Sequence, residues 1–504
     1  MTPPGLLRQI VIVGGGSAGW MTAAALSSLL DPREVTITLV ESDAIGTVGV
    51  GEATIPDILA FNRMLGIGET EFMKATQATF KLGIEFVDWG RKGDRYVHPF
   101  GQHGVDMQGI DFHQYWLRAR GEGATDPIEA YSLCAVAAQA GRFVLPDPNP
   151  RSVLSQIRYA YHFDATLYAA FLRRYAEARG VRRVEGAVRN VRRHAENGFI
   201  AGLDLGDDRA VDGDFFFDCT GFRALLAGDT LGVGFVDWSH WLPCDRALAV
   251  PSAHQGPLAP YTRSTARDAG WQWRIPTQRR VGNGHIYASA FLSDDRAADM
   301  LLSSLDGAAL ADPRPIRFRA GCREAFWTDN CIAIGLAAGF LEPLESTSIY
   351  LIQEGISRFI SLFPRADIPD IVRTEYNRHM RTEFEQVRDF IILHYGATER
   401  DDTPFWDYCR TMKLPDTLVH KIELFRRTGR VFRYNDELFA RPSWIAVMLG
   451  QHIVPQDCDP VVATLPANDI AHSLKSMRGA IAAAVERMPM HQDFIERHCP
   501  ADSA

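Results

Sequence analysis

Cysteine is sparse and scattered: eight thiols lie between Cys134 and Cys499, with no Cys-x-x-Cys pair among them. That spacing fits neither a disulfide framework nor a structural zinc site. His-Glu-x-x-His and comparable histidine–carboxylate clusters are missing too, so the reading is a metal-free protein. Positive charge is not in excess, since 53 Lys and Arg face 62 Asp and Glu for a net charge of −9. A nucleic-acid or anionic-membrane partner would need a basic face, so neither is expected. No apolar run approaches the roughly 18 residues of a membrane span. The residues ahead of Gln9 lack the basic start, apolar stretch and cleavage site of a signal peptide, and the expectation is a cytoplasmic protein.

What is present is average for a globular chain. Of 504 residues, 46% are hydrophobic and 23% charged, which excludes disorder, collagen-like structure and disulfide-stapled miniproteins. The length corresponds to about three domain-sized units. Ile10–Val13 is a β-branched run ended by glycines 14 to 16, and Ser17–Leu30 reads as a helix with Pro32 just past its end. Val35–Val40 alternates β-branched residues and closes on Glu41, completing a β-α-β unit. From Arg182 to Cys219, successive strands are joined by Gly and Asp turns. The arginines there (Arg182, Arg183, Arg189, Arg192 and Arg193) read as the open face of a meander rather than a nucleic-acid patch. Cys331–Gly335 is a further buried-strand candidate, followed by a loop and a helix from about Ser346 to Phe363. After Pro369 the pattern is helical, most clearly over Val372–His394, Pro415–Arg427 and Ile470–Arg487. The fold expected is α/β with α+β elements. A discontinuous nucleotide-binding core spans residues 1–365 with inserted substrate-pocket segments, and a mainly helical C-terminal substrate region spans 366–504.

Gly14-x-Gly16-x-x-Gly19 stands between the first strand and the first helix, the context that makes this motif informative. The first glycine permits the tight turn, the second lets backbone N–H groups approach a pyrophosphate, and the third lets the helix pack close. The pyrophosphate then lies at the helix N-terminus, against Ser17 and Ala18. Glu41, roughly 20 residues on, is placed for ribose hydroxyls, and its carboxylate disfavours a 2′-phosphate. Two more strand-to-glycine turns, Asp218-Cys-Thr-Gly221 and Ile332-Ala-Ile-Gly335, suit a ligand that runs the length of a domain, as extended FAD does. No second GxGxxG is available for a nicotinamide nucleotide, so the cofactor expected is FAD.

Four motifs resemble those of the flavin-dependent halogenases of the tryptophan halogenase type. They are GGGSAGW (Gly14–Trp20), GVGEATIP (Gly49–Pro56), WQWRIP (Trp271–Pro276) and GFLEPLESTS (Gly339–Ser348). The resemblance implies a flavin-monooxygenase-like core with a helical substrate region. It also implies that FADH2 from a separate flavin reductase, together with O2, oxidises chloride or bromide to hypohalous acid. That oxidant passes through an internal tunnel to an essential lysine beside the organic substrate.

The family lysine corresponds to Lys81, set between Phe80 and Leu82; nearby Lys74 lies outside the motif. Desolvation lowers an amine's pKa and frees it to act on an electrophile, whereas the ammonium donates hydrogen bonds to neutral hypohalous acid; both roles stay open. Glu345 matches the family's catalytic glutamate, placed to orient the oxidant or accept the ring proton, with Glu342 the alternative carboxylate. Ser346, Thr347 and Ser348 follow at an expected helix start, where Thr347 and Ser348 offer N–H groups to a halide and also serve as ordinary caps. Trp271, Trp273, Ile275 and Pro276 are expected to wall the tunnel and keep substrate from the flavin, so that the arene is halogenated rather than hydroxylated. His98-Pro99-Phe100 resembles a substrate-pocket segment, which assigns His98 and Phe100 to the substrate. Ala53 and Gly335 join the expected cofactor contacts.

Relatives acting on free tryptophan carry a Tyr-rich stretch that holds the amino acid's ends. The corresponding Arg433–Gln451 has Tyr434 alone, with Trp444 available to stack on an arene. Position 336 is Leu, where related FAD hydroxylases place an Asp, which suits an enzyme loaded with diffusible FADH2. The expectation is therefore halogenation of an electron-rich arene, with indole, tryptophan and indole derivatives as the candidate substrates. A flavin-dependent aromatic hydroxylase and a non-catalytic flavin-binding sensor are the alternatives. The partners expected are a flavin reductase and a small aromatic substrate, in a monomer or homodimer.

Overall fold

The β-branched run Gln9–Val13 pairs in parallel with Thr36–Glu41 on one side and Phe215–Asp218 on the other. These pairings come from a computed structural model of the protein, which describes residues 5–44, 51–206 and 208–502. The run is buried from Ile10 to Val13, as a parallel strand covered on both faces requires. Arg182–Glu185 extends the sheet at one side; Cys331–Ala333 and the antiparallel Trp327–Thr328 extend it at the other. The pairing sets Val13, Glu41, Asp218 and Ala333 along one carboxyl edge. Open α/β sheets bind ligands in the crevice beyond that edge.

Helix Ser17–Leu29 joins the first two strands and packs against helix Ala165–Glu177. The region from Arg182 to Cys219 divides: only Asn190–Arg193, Ile200–Gly206 and Arg209–Asp212 form a meander, and the outer strands belong to the parallel sheet. Arg192 donates to Asp204 at 2.8 Å and also to Asp212, while Arg183 donates to Glu41 and Asp43. These arginines meet local carboxylates.

A seven-stranded sheet carries the WQWRIP and HPF segments. Its order is Arg314–Arg317, Arg246–Ser252, Val281–Tyr287, Gly270–Pro276, Thr262–Arg267, Gly83–Val87 and Arg95–Pro99. Beside it, Gly51–Ala53 and Thr79–Lys81 flank Ala160–Asp164, so that Ala53 and Thr79 both pair with His162. Gly49 and Val50 of the GVGEATIP motif lie outside the described residues.

From Ser348 onward the chain is helices joined by loops. The three segments read as helices after Pro369 are found at Asp370–Gly396, Asp416–Thr428 and Ala467–Glu486. The first runs about 40 Å at about 1.5 Å per residue. Its end, Phe390–Tyr395, is buried at every position, so this stretch threads the interior and carries His394 and Tyr395 with it. Among the described residues, no helix is long and apolar enough to cross a membrane.

Candidate active site

The turn after Gln9–Val13 needs its first glycine twice over. Gly14 has φ +112°, and a Cβ there would stand 2.2 Å from the Cys219 carbonyl oxygen. At Gly19 a Cβ would stand 1.8 Å from the Gly14 oxygen, which is the close helix approach the motif calls for. Gly16 caps the helix without a side-chain bond, and nothing lies within 4 Å of its Cβ position. The first-turn N–H groups at Ser17 and Ala18 are thus left for an anion. Gly335, at φ +68°, brings the second glycine turn against Ala18.

Glu41 has one carboxylate oxygen beside Gly15 and the other accepting from Arg183 Nε at 2.5 Å. Asp218 faces inward instead: buried, it accepts from Thr220 Oγ1 and from the N–H groups of Thr220, Leu226 and Ala227, folding its own turn. Ala53 is buried next to the seven-stranded sheet, and Leu336 is half-buried. The uncapped helix end, the glycine cradle and the carboxylate at the second strand fit a dinucleotide.

Lys81 ends the strand Thr79–Lys81 and is wholly buried. Its Nζ donates to the Thr54 carbonyl oxygen at 2.9 Å and to Ser346 Oγ at 2.8 Å, and lies 5.2 Å from the Phe100 ring centre. Burial pulls the amine down to about 7, against the opposing pull of the Glu345 charge. Lys74 stands apart, on a surface hollow shared with Glu71 and Arg174.

Glu345 closes the 3-10 turn Pro343–Glu345, and Ser346 follows in the left-handed region at φ +61°. The chain kinks there, so the long helix is Ser348–Ser361, starting two residues later than the sequence reading placed it. Across this kink Ser346 meets Lys81 while Glu345 meets two histidines. His98 Nδ1 lies 2.9 Å and His394 Nε2 2.7 Å from the carboxylate oxygens. Burial by itself raises a carboxyl, but attraction to His98 and the bonds from His394 and His98 outweigh it and hold Glu345 at about 2. Thr347 caps the helix without a side-chain bond; its Oγ1 is buried and has no partner among the described residues. Ser348, half-buried, begins the first turn.

Trp271, Trp273 and Ile275 alternate along Gly270–Pro276, so they share one face of the sheet, and all three are buried. The two indoles lie 6.1 Å apart. Trp271 Nε1 donates to Glu342 Oε2 at 2.9 Å, and Tyr395 donates to the same oxygen at 2.5 Å. Burial pushes the Glu342 carboxyl up to about 7. The Pro276 carbonyl accepts from Thr79 Oγ1 at 2.6 Å, tying this face to the lysine strand.

His98 and Phe100 stand two residues apart at the end of Arg95–Pro99 and reach Glu345 and Lys81 respectively. Trp444 is brought near this group but not onto it. Its ring packs on the Phe390 edge and on the Lys421 ammonium, 4.1 Å away. Phe390 stacks on Phe439 at 3.8 Å, and these two rings, at 5.7 and 6.3 Å, are the ones beside His98. Sequence reading missed Phe390, Phe439, Tyr96 and His394. The signal for His394 is a titratable residue inside the apolar run Phe390–Tyr395, which demands a buried partner.

The family model for tryptophan halogenase matches residues 9–467. The chain is 36% identical to a tryptophan 6-halogenase of Streptomyces toxytricini over 97% of each chain. Among solved structures, a flavin-dependent halogenase from Xanthomonas campestris is similar at 50% identity and TM-score 0.96, over 99% of this chain and 100% of that one. The flavin-dependent halogenase BrvH from Brevundimonas sp. BAL3 is similar at 48% identity and TM-score 0.95, over 98% and 99%. By sequence and by fold, this chain belongs to the tryptophan halogenase family of flavin-dependent halogenases.

Proposed function

We propose that this chain takes FADH2 from a separate flavin reductase and, with O2 and chloride or bromide, halogenates an electron-rich indolic arene. The observation that carries the reading is the buried Lys81 Nζ, bonded to the Thr54 carbonyl and to Ser346, the residue next to Glu345. Gly14, Gly16, Ser17, Ala18, Gly19, Ala53 and Gly335 would hold the cofactor, with Glu41 at its ribose. The bound flavin supplies the oxidation of halide by O2 to hypohalous acid.

Thr347 and Ser348 suit the halide, because an uncapped helix start offers N–H groups and the unpartnered Thr347 hydroxyl adds a donor. Trp271, Trp273, Ile275 and Pro276 separate arene from flavin. The Lys81 ammonium donates its remaining N–H to the hypohalous acid. As the carbon–halogen bond forms, the halogen–oxygen bond breaks, and the departing hydroxide takes the Lys81 proton to become water. The ring proton goes to Glu345. A carboxylate with a pKa of about 2 is a weak base, but an arenium is a strong acid, and position matters more than basicity there. Return of that proton to Lys81 resets the site.

His98, Phe100 and Phe390 frame the arene. Tyr434 stands alone and 65% exposed, which favours indole over the free amino acid. The test combines protein, FAD, a flavin reductase with NADH, O2, indole or tryptophan, and chloride or bromide, read by mass spectrometry. A halide-dependent product with the halogen isotope pattern is expected, lost in Lys81→Ala while FAD binding persists. An oxygenated product, or halogenation by Lys81→Ala, would overturn the reading.

A further inference from the structure

Behind Glu345 runs a string of buried donors that the halogenation chemistry above does not use. Gln451 Nε2 donates to the Tyr96 hydroxyl oxygen at 3.4 Å, and Tyr96 lies 3.2 Å from His394 Nδ1. His394 Nε2 then lies 2.7 Å from Glu345 Oε1. All four side chains are buried. The string has one consistent polarity. The Gln451 amide nitrogen also donates to the His394 carbonyl oxygen at 3.1 Å, which fixes which end of the amide meets Tyr96. Tyr96 accordingly turns its O–H to Nδ1, and the proton of a neutral His394 must sit on Nε2, beside the carboxylate. The parts are locked by packing: the His394 ring stacks on Phe86 at 4.6 Å, and the Tyr96 ring stacks on Phe86 at 5.0 Å. Gly450 is glycine because a Cβ there would stand 2.4 Å from the Tyr96 ring.

We propose that His394, oriented by Tyr96 and Gln451, is a positioning residue that keeps Glu345 ionised and aimed for the ring proton. The proposal rests on the reading that Glu345 takes that proton. Helix Asp370–Gly396 thereby completes a site whose other groups come from the sheets and from the turn before Ser348. The titratable groups facing the string are Glu345 and His98 on His394, and Glu345 and Glu129 on Tyr96. Burial pushes the His394 ring below its ordinary value, which favours the neutral ring, its Nε2 stands 2.7 Å from the carboxylate, and His98 is left as the second partner of Glu345.

The experiment measures bromination of indole as a function of pH in the full-length enzyme with reductase. In His394→Phe, kcat falls about 10- to 100-fold with indole KM changed less than about 2-fold. The acid limb of the profile moves up by about one pH unit or more, because Glu345 has lost a donor to its charged form. His394→Gln, which restores an N–H, recovers part of the rate and moves the limb back. Tyr96→Phe, a change that keeps the packing, moves both in the same direction by less and carries the test if His394→Phe does not fold. An unmoved acid limb in these variants, or a rate loss that His394→Gln does not relieve, overturns the positioning role. Glu345→Gln in the same assay separates the two readings: if it brominates indole at the normal rate, the role of Glu345 itself fails, whatever His394 does.

Discussion

Glu342 and Glu345 are three residues apart on one turn, both fully buried, and their carboxyls are shifted in opposite directions. Glu342 meets an indole N–H and a phenol, both neutral donors, and burial raises its carboxyl to about 7. Glu345 meets two imidazoles, and its carboxyl is held at about 2. Burial is common to both, so the partners decide. Two neutral hydrogen bonds do not offset the cost of bringing a carboxylate out of water, whereas the attraction of His98, added to the imidazole contacts, does. The first carboxyl clamps the tryptophan face; the second faces the lysine. One short turn therefore ties the tryptophan strand to the lysine strand.

The strongest way to break this comparison is to neutralise each carboxyl in turn. Glu345→Gln is expected to lower halogenation about 100-fold or more while FAD binding is retained, the usual size for a positioned acid–base group. Glu342→Gln, which keeps an acceptor for Trp271 and Tyr395, is expected to cost less than about 3-fold. Product per reduced flavin, measured for both variants side by side, checks the pair. Equal losses would mean that the charge difference has no bearing on the chemistry.

A second test uses the pH at which Lys81 loses its proton. Its ammonium is present below about 7 and absent above. With the ammonium as the donor to hypohalous acid, product per reduced flavin falls as pH rises from about 6 to about 8. A rise over that interval would instead assign the work to the neutral amine, through a haloamine. Because Glu345 stays ionised throughout that interval, the two groups titrate in separate windows.

How far the sequence carries this site depends on whether a residue's partner is local. The glycine turn, the first helix and the strand ending at Glu41 are legible because turn chemistry and period act within a few residues. Lys81, Glu345 and the WQWRIP face are legible only through resemblance to a family, since nothing local marks a lysine after a phenylalanine. For His394 the apolar run around it signals burial, but its partner is legible in neither way. Its contact with Glu345 joins the end of a C-terminal helix to a turn that precedes a different helix, and no periodicity reports such a pairing. Trp444, read from the sequence as an aromatic able to stack on an arene, is set by helix Arg441–Gly450 against Phe390 and Lys421. The Asp218 turn, read from its glycine as suiting an extended ligand, is shaped by a carboxylate binding its own backbone, which the glycine does not report.

A smaller effect tests the neutral side of the comparison. Trp271→Phe keeps an aromatic ring in the wall and removes the N–H to Glu342. The expected cost is about 1–2 kcal/mol of stability, the range for leaving a buried acceptor with one donor fewer. Denaturant unfolding measures it. If the indole also walls the oxidant's path, as proposed, the same variant should release more hypohalous acid to solvent, read with a chlorination-sensitive dye. Stability lost without leakage would confine Trp271 to packing.

The smallest effect is the pH dependence of stability contributed by Glu342. Its folded-state pKa is raised from 4.5 to about 7, so the folded protein binds this proton more tightly than the unfolded chain does. Stability from this group is complete below about 4.5 and is lost as pH rises through about 7. Glu342→Gln cannot ionise and does not carry that loss. Relative to the parent, the variant should therefore gain in Tm between about pH 5 and about pH 8, a shift of a few degrees at most in a chain of this size. A parallel displacement of the two Tm curves would mean that Glu342 keeps one charge state across the range, and a widening gap toward low pH would mean that it is ionised where Glu345 is. Either result would remove the contrast between the two carboxyls, because their different partners would no longer correspond to different protonation.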